Sequence, residues 1–177
     1  QRSLPVRPLV DVVFLIAHSL WGENPAGYHL LQIGLHLVAT LLLAWGFSRL
    51  DADLELSFLS ALLFLLNVAH FRSVQWVILI NYNLALIFGL VAILAYQRFM
   101  EGNRKRDHLI ALVALSAATV SHPSAAPIGL FCTYLAWRRS KAWAFRWSFS
   151  TIVTGISYAL AYLLSPNHIQ TKAIFSQ

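Results

Sequence analysis

Three polar residues, His29, Gln32 and His36, stand at spacings i, i+3 and i+7 within a long apolar run. Helical periodicity would place all three on one face. At 1.5 Å per residue, His36 would sit roughly 10 Å below the surface of a membrane. Polar groups at that depth are costly unless they are paired, and they normally face protein or a water-filled cavity. Three chemistries fit: a substrate or headgroup site, axial ligation of haem or chlorophyll by a histidine, or hydrogen bonding between helices. A second group, Asn67, His70, Arg72 and Gln75, falls at the end of the next apolar run. The planar guanidinium of Arg72 suits a phosphate, and it equally suits an arginine that snorkels to an interface. Asn81 and Asn83 follow one turn into the third run, where packing is a sufficient role and at most one of them shares a face with Gln75 or Arg72. The last polar element is His122-Pro123-Ser124, which either contributes to a substrate site or terminates a helix.

These residues need elements to hold them, and composition says which solvent those elements meet. Of 177 residues, 58% are hydrophobic and 11% are charged. A soluble domain carries about 25% charged residues, so the surplus apolar surface calls for lipid. The net charge of +6 comes from 13 Lys and Arg against 7 Asp and Glu. No basic face interleaved with aromatics appears, which argues against nucleic acid as a partner. The basic residues instead cluster as Arg98, Arg104, Lys105 and Arg106, and as Arg138, Arg139, Lys141 and Arg146. With Arg49 that places nine on one side and four, Arg2, Arg7, Arg72 and Lys172, on the other. This is the positive-inside pattern. It predicts an integral, multi-pass membrane protein with the loops around 98–106 and 138–146 in the cytoplasm, facing anionic lipid headgroups.

Along the chain, residues 1–22 read as an interfacial segment: Pro5 and Pro8 break an early helix, and Leu9 to Leu20 is too short to span ~30 Å of hydrocarbon. Spans are expected at Tyr28 to Phe47, Leu56 to Ala69 and Trp76 to Tyr96. Gln97 to His108 reads as the most polar loop. Leu109 to Val120 and Ala125 to Trp137 are short apolar runs meeting at His122-Pro123, and they form either two crossings or a re-entrant hairpin. Trp147 to Leu164 closes the series. Trp45, Trp76, Trp137, Trp143 and Trp147 fall near span ends, as interface anchors do. The expected architecture is all-α: a polytopic helical transmembrane protein of about six spans plus an N-terminal interfacial helix. It forms a single membrane domain over 1–177, with transmembrane helices over 28–165 and an extracytoplasmic tail over 166–177. Since the chain starts at Gln1 and its only methionine is Met100, it reads as a piece of a longer protein. No signal peptide pattern opens it. The lone Cys132 lies in an apolar run and reads as a small buried hydrophobe. No Gly-rich phosphate loop, HExxH or CxxC is present.

Two stretches carry a family resemblance. One runs from Asn24-Pro25-Ala26-Gly27-Tyr28-His29 to His36, the other from Ala61 to His70 and Trp76, after Arg7-Pro8-Leu9. Together they resemble GT-C-fold membrane glycosyltransferases of the protein O-mannosyltransferase-like group, over roughly residues 7 to 140. The resemblance implies GT-C-like topology, a polyprenyl-phosphate sugar donor and transfer on the extracytoplasmic side. It implies that His29, His36, His70 and Arg72 neighbour the lipid-phosphate donor; Gln32 and His122 are candidate substrate-binding positions from their polar placement alone. It also implies that the catalytic acidic residue lies upstream, in a first outer loop, and that a divalent metal could take part in an active transferase. The chain departs from the pattern in several places. Gln32 stands where relatives carry Asn, Asn67-Val68 replaces His-Pro, Arg72 replaces Glu, and Ile78-Leu79-Ile80 stands where Gly-Arg is expected. Two function classes therefore stay open. One is a glycosyltransferase membrane domain, active or catalytically degenerate. The other is a non-catalytic accessory subunit of a larger membrane complex, including a version holding pigment or haem on His29 or His36. Partners follow the class: membrane lipids in either case, a lipid-linked sugar donor for the enzyme, other membrane subunits for the accessory protein.

Overall fold

The structure is a computed structural model that describes residues 8–49, 53–67 and 76–139, with four further helical positions at 152, 155, 156 and 159. Every element among the described residues is helical. In chain order they are α1 (Pro8–Trp21), α2 (Pro25–Ser48), α3 (Leu54–Leu66), a 3-10 turn (Val77–Leu79), α4 (Ile80–Gly102), α5 (Lys105–Ser121), a second 3-10 turn (Pro123–Ala125) and α6 (Ala126–Arg139).

The corner between α1 and α2 shows why its sequence reads Gly-Glu-Asn-Pro-Ala-Gly-Tyr. Gly22 takes φ +56°, a conformation that favours glycine, and its N–H closes onto the His18 carbonyl at 2.8 Å. Asn24 caps α2 by accepting from the Ala26 amide at 3.0 Å, and Pro25 occupies the first turn, where a missing N–H costs nothing. The Trp21 side chain lies directly on Gly27, with its Cβ 2.8 Å from where a Cβ on that glycine would stand. Tyr28 donates from its hydroxyl to the Gly22 carbonyl at 2.7 Å. Nearly every residue of that family-like motif thus serves to turn the chain and start a helix.

Ring contacts and polar contacts give the directions. α2 and α4 run parallel: Gln32 meets Asn83 at one end, and Arg49 meets Glu101 at the other. α4 and α5 run antiparallel. Tyr82 lies over His122 at 4.2 Å at the first end, and Phe99 lies over His108 at 4.5 Å at the second. α3 returns along α2, so that Phe64 stacks on His36 at 5.1 Å. The end holding Gln32, Asn83 and His122 is called the head, and the end holding Arg49, Glu101 and His108 the foot. α4 is the central helix. Its interface with α5 and α6 is built on Ala92, Ala95, Ala111, Ala114, Cys132 and Ala136 around Tyr96, Phe99 and Leu115. Small residues let the backbones approach closely, the packing mode of helices in lipid. Ile128 of α6 covers Gly89 of α4, and Cys132 and Ala136 join the same buried cluster, so α6 runs back along α4. Cys132 is buried and free, as its apolar setting suggests.

Polar side chains lie buried among the apolar core, and many large apolar side chains face outward. Gln32, His36, Thr40, Ser57, Asn81, Asn83, Thr119 and Ser121 are buried, whereas Leu15, Leu30, Leu41, Phe58, Leu63, Leu109, Val113 and Leu130 are exposed. Thr40, Thr119, Ser121 and Thr133 hide their hydroxyls by donating to the carbonyl four residues back. Two helices, α2 with 24 residues and α4 with 23, are long and apolar enough to cross a membrane. At 1.5 Å per residue they reach about 36 and 34 Å.

Three boundaries differ from the sequence reading. The loop expected over Gln97 to His108 shrinks to Asn103 and Arg104, because α4 continues to Gly102. It stops where Asn103 adopts a left-handed φ of 49°, the usual helix-ending conformation. The short run from Leu109 to Val120 becomes a 17-residue helix by recruiting Lys105, Arg106, Asp107 and His108 into its first turn. The second span starts earlier, with Glu55 in the first turn of α3 rather than in a loop, and it ends at Leu66. In each case charged residues are helical because a helix can project past its apolar run into water. The expected interfacial segment coincides in part with α1. The expected span from Trp147 to Leu164 and the tail over 166–177 lie outside the described residues, apart from the four helical positions named above.

Candidate functional site

The head of the bundle gathers most of its polar side chains. Gln32 is fully buried on α2. Its Nε2 donates to the Trp76 carbonyl at 3.1 Å, and its Oε1 accepts from Asn83 Nδ2 at 3.1 Å. One helical turn along, His36 is buried against the ring of Phe64. Asn81 and Asn83 are both buried, although residues two apart point to nearly opposite sides of a helix. Both positions are covered because α4 is packed between α2 on one side and α5 on the other.

Beside Asn83 lies a cleft of about 340 Å³, lined by Tyr82, Asn83, Ala85, Leu86, Ser124, Ala125 and Ile128. Its mouth is polar and its wall is apolar. The turn after α5 supplies the far side. His122 Nδ1 accepts from the Ser124 amide at 3.1 Å and lies 2.7 Å from the Ser124 hydroxyl. An imidazole that accepts at Nδ1 carries its proton at Nε2 when neutral. The ring of His122 is tilted 32° over that of Tyr82. The Tyr82 and Ser124 hydroxyls and the Asn83 amide around an apolar slot can hydrogen-bond a sugar or phosphate group while the slot takes a hydrocarbon chain, and His122 contacts Tyr82 and Ser124 from outside the lining.

Of the residues singled out by sequence, the structure brings Gln32, His36 and His122 to the head end. It leaves His29 exposed near the start of α2, although the helical period sets it on the same face as the buried Gln32 and His36. His70 and Arg72 lie outside the described residues. Tyr82 and the wall formed by Ile128 were not signalled by the sequence: a tyrosine between two asparagines near a helix start has no distinguishing pattern, and the α6 wall reaches α4 only through tertiary packing. Among the described residues, no group of three His, Cys, Asp or Glu side chains is placed to hold a metal ion. Among the described residues the donor set does not fit a resident divalent metal.

No protein-family profile matches the chain, and no solved structure matches it. Over 96 residues, 54% of its length, the chain is 31% identical to the protein O-mannosyl-transferase TMTC1 of Mus musculus, where the match covers 10% of the relative. The protein of the same name in Homo sapiens is also 31% identical over 96 residues, and there the match covers 11%. The chain spans about a tenth of the length of the curated relatives it matches. Over about half of its own length, the chain is distantly similar to a protein O-mannosyl-transferase.

Proposed function

We propose that this chain is a section of a membrane-embedded, glycosyltransferase-like domain, and that the head cleft receives part of a polyprenyl-phosphate-linked sugar donor on the extracytoplasmic side. The observation that carries this reading is the cleft itself. Tyr82, Asn83 and Ser124 line a slot whose remaining walls are Ala85, Leu86, Ala125 and Ile128, a match for a ligand with a polar head and an apolar tail. The distant similarity to an O-mannosyl-transferase supports the class of chemistry. The exposed leucines and buried amides support lipid as the solvent. In this reading Gln32 is a positioning residue: both ends of its amide are bonded inside the bundle, so it orients Asn83. His122 holds the far wall and orients Tyr82. The acidic catalytic group comes from another part of the longer protein, and GT-C-like topology with about six crossings extends beyond the two long helices.

The test is photo-crosslinking of the full-length protein in membranes with a photoactivatable polyprenyl-phosphate sugar. Replacing Tyr82 by Ala removes one hydrogen-bonding group and one ring, together about 2 kcal/mol, so labelling should fall roughly tenfold or more. Labelling that survives in both Tyr82→Ala and Ser124→Ala would remove the cleft from the donor site.

One observation favours a second reading. The Gln32 amide bonds the Trp76 carbonyl and Asn83, which is what a scaffold needs in order to lock its helices. The chain would then be an accessory membrane subunit that keeps an enzyme-like fold without the chemistry. Gentle purification with subunit identification separates the two. Stable co-purification in a larger assembly, with no donor labelling of the wild type, selects the accessory role.

A further inference from the structure

The foot of the bundle carries a second cleft, of about 440 Å³, lined by Arg98, Glu101, Gly102, Arg104, Arg106 and Asp107. Its charges are not balanced. Glu101 is already bonded to Arg49 at 2.9 Å, whereas among the described residues Arg104 and Arg106 have no carboxylate partner. The Arg98 guanidinium lies 4.6 Å above the ring of Trp45, a contact that holds the group in place without neutralising it. Arg104 folds back over Gly102, with Nε 3.8 Å from where a Cβ on that glycine would stand. The backbone supports the same sign of charge, because Arg104 is the N-cap of α5 and makes no side-chain cap bond there. The first-turn amides add positive potential to the arginines, offset in part by the Asp107 carboxylate of the same turn, so three arginines and a helix N-terminus face one carboxylate not already bonded to Arg49. Three planar forks around one cavity suit the oxygens of a phosphate group.

What brings that phosphate is indicated by the neighbouring surface. Leu109 and Val113, at one and two turns beyond Arg106 along α5, are more than half exposed. Trp45, under Arg98, is an exposed aromatic at the end of the apolar length of α2, the place where tryptophan marks a membrane interface. An anion seated among the arginines would have an apolar helix flank running directly away from it. We propose that this foot cleft binds the phosphate headgroup of an acidic membrane lipid, gripped by Arg98, Arg104 and Arg106, with the acyl chains lying along α5. The proposal rests on the membrane-embedded reading but not on any glycosyl transfer.

The test uses the full-length protein purified in detergent and titrated with dioleoyl phosphatidic acid, with lipid retention read by native mass spectrometry. Phosphatidylcholine and inorganic phosphate are the comparison probes. Arg104 and Arg106 are exposed, so a variant carrying Arg104→Ala and Arg106→Ala should unfold at the wild-type temperature. It should lose about tenfold or more in affinity for phosphatidic acid. Arg138→Ala removes an exposed charge from the end of α6, outside the cleft, and should change affinity less than about twofold. Equal weakening by Arg138→Ala would overturn the site in favour of a general surface potential. Absence of retained phosphatidic acid on the wild type would overturn it outright. Inorganic phosphate binding as tightly as the lipid would overturn the lipid as the source. Carbonate extraction of cell membranes, run in parallel, reports on membrane integration alone, so failure of that reading is distinguishable from failure of the site.

Discussion

The bond between Gln32 and Asn83 is the polar link that ties α2 to α4, and its energetics can be worked out in advance. Gln32 is fully buried, with Oε1 accepting from Asn83 and Nε2 donating to the Trp76 carbonyl, each at 3.1 Å. Gln32→Met keeps the length of the side chain and removes both bonds. Asn83 and the Trp76 carbonyl are then left short of a partner, and the expected cost is about 2 kcal/mol. Asn83→Leu removes one bond, at about 1 kcal/mol. Since both variants delete the same link, the double variant should cost less than their sum, by roughly 0.6 kcal/mol and at most about 1.7 kcal/mol, the average and the maximum for hydrogen bonds between helices in a bilayer. Equilibrium unfolding of the wild type, both single variants and the double variant in mixed micelles gives the coupling term directly. A coupling within about 0.3 kcal/mol of zero is the additivity of unconnected sites. That result would refute the pairing and, with it, the positioning role assigned to Gln32.

Two further outcomes follow from local geometry. Gly27→Ala places a methyl group against Trp21 close to its Cβ. The stem of the tryptophan cannot swing clear as a flexible tip would, and the variant should lose about 1–3 kcal/mol in the same unfolding assay, whereas Gly34→Ala, where nothing lies within 4 Å, should lose none. His122→Ala removes the acceptor that caps the turn at Ser124 and should cost about 1 kcal/mol. His122→Asn should recover that stability by capping in its place, yet it should still weaken donor crosslinking, because the ring over Tyr82 is gone. Recovery of both properties together would show that His122 acts only as a cap.

Much of the secondary structure was legible. The apolar runs, their approximate centres and the burial of Gln32 and His36 follow from composition and a helical period. The ends of helices were less legible. Gln97, Arg98 and Glu101 looked like loop because charge and loop correlate, while the actual stop signal was Asn103 in a left-handed conformation. Asn24-Pro25-Ala26-Gly27-Tyr28 carried part of a family resemblance, and in the structure those residues cap, turn and pack the α1–α2 corner. A motif can persist because a backbone needs it, and sequence alone does not separate that need from chemistry.

The sequence by itself determined where apolar helices form and where positive charge gathers, because each depends on residue types and on neighbours within a few turns. Tertiary structure alone decided that α4 is the central helix. Only that position buries both Asn81 and Asn83, joins Asn83 to Gln32 across 51 residues of chain, and sets Tyr82 beside His122. It also decided that Arg98, Arg104 and Arg106 share one cleft, and that Gln32 and His36 are covered while His29, on the same helix face, is not. A helix fixes the relative directions of its own side chains, but whether a direction ends in a neighbour, a cavity or lipid depends on helices placed elsewhere in the chain. Periodicity carries no information about those.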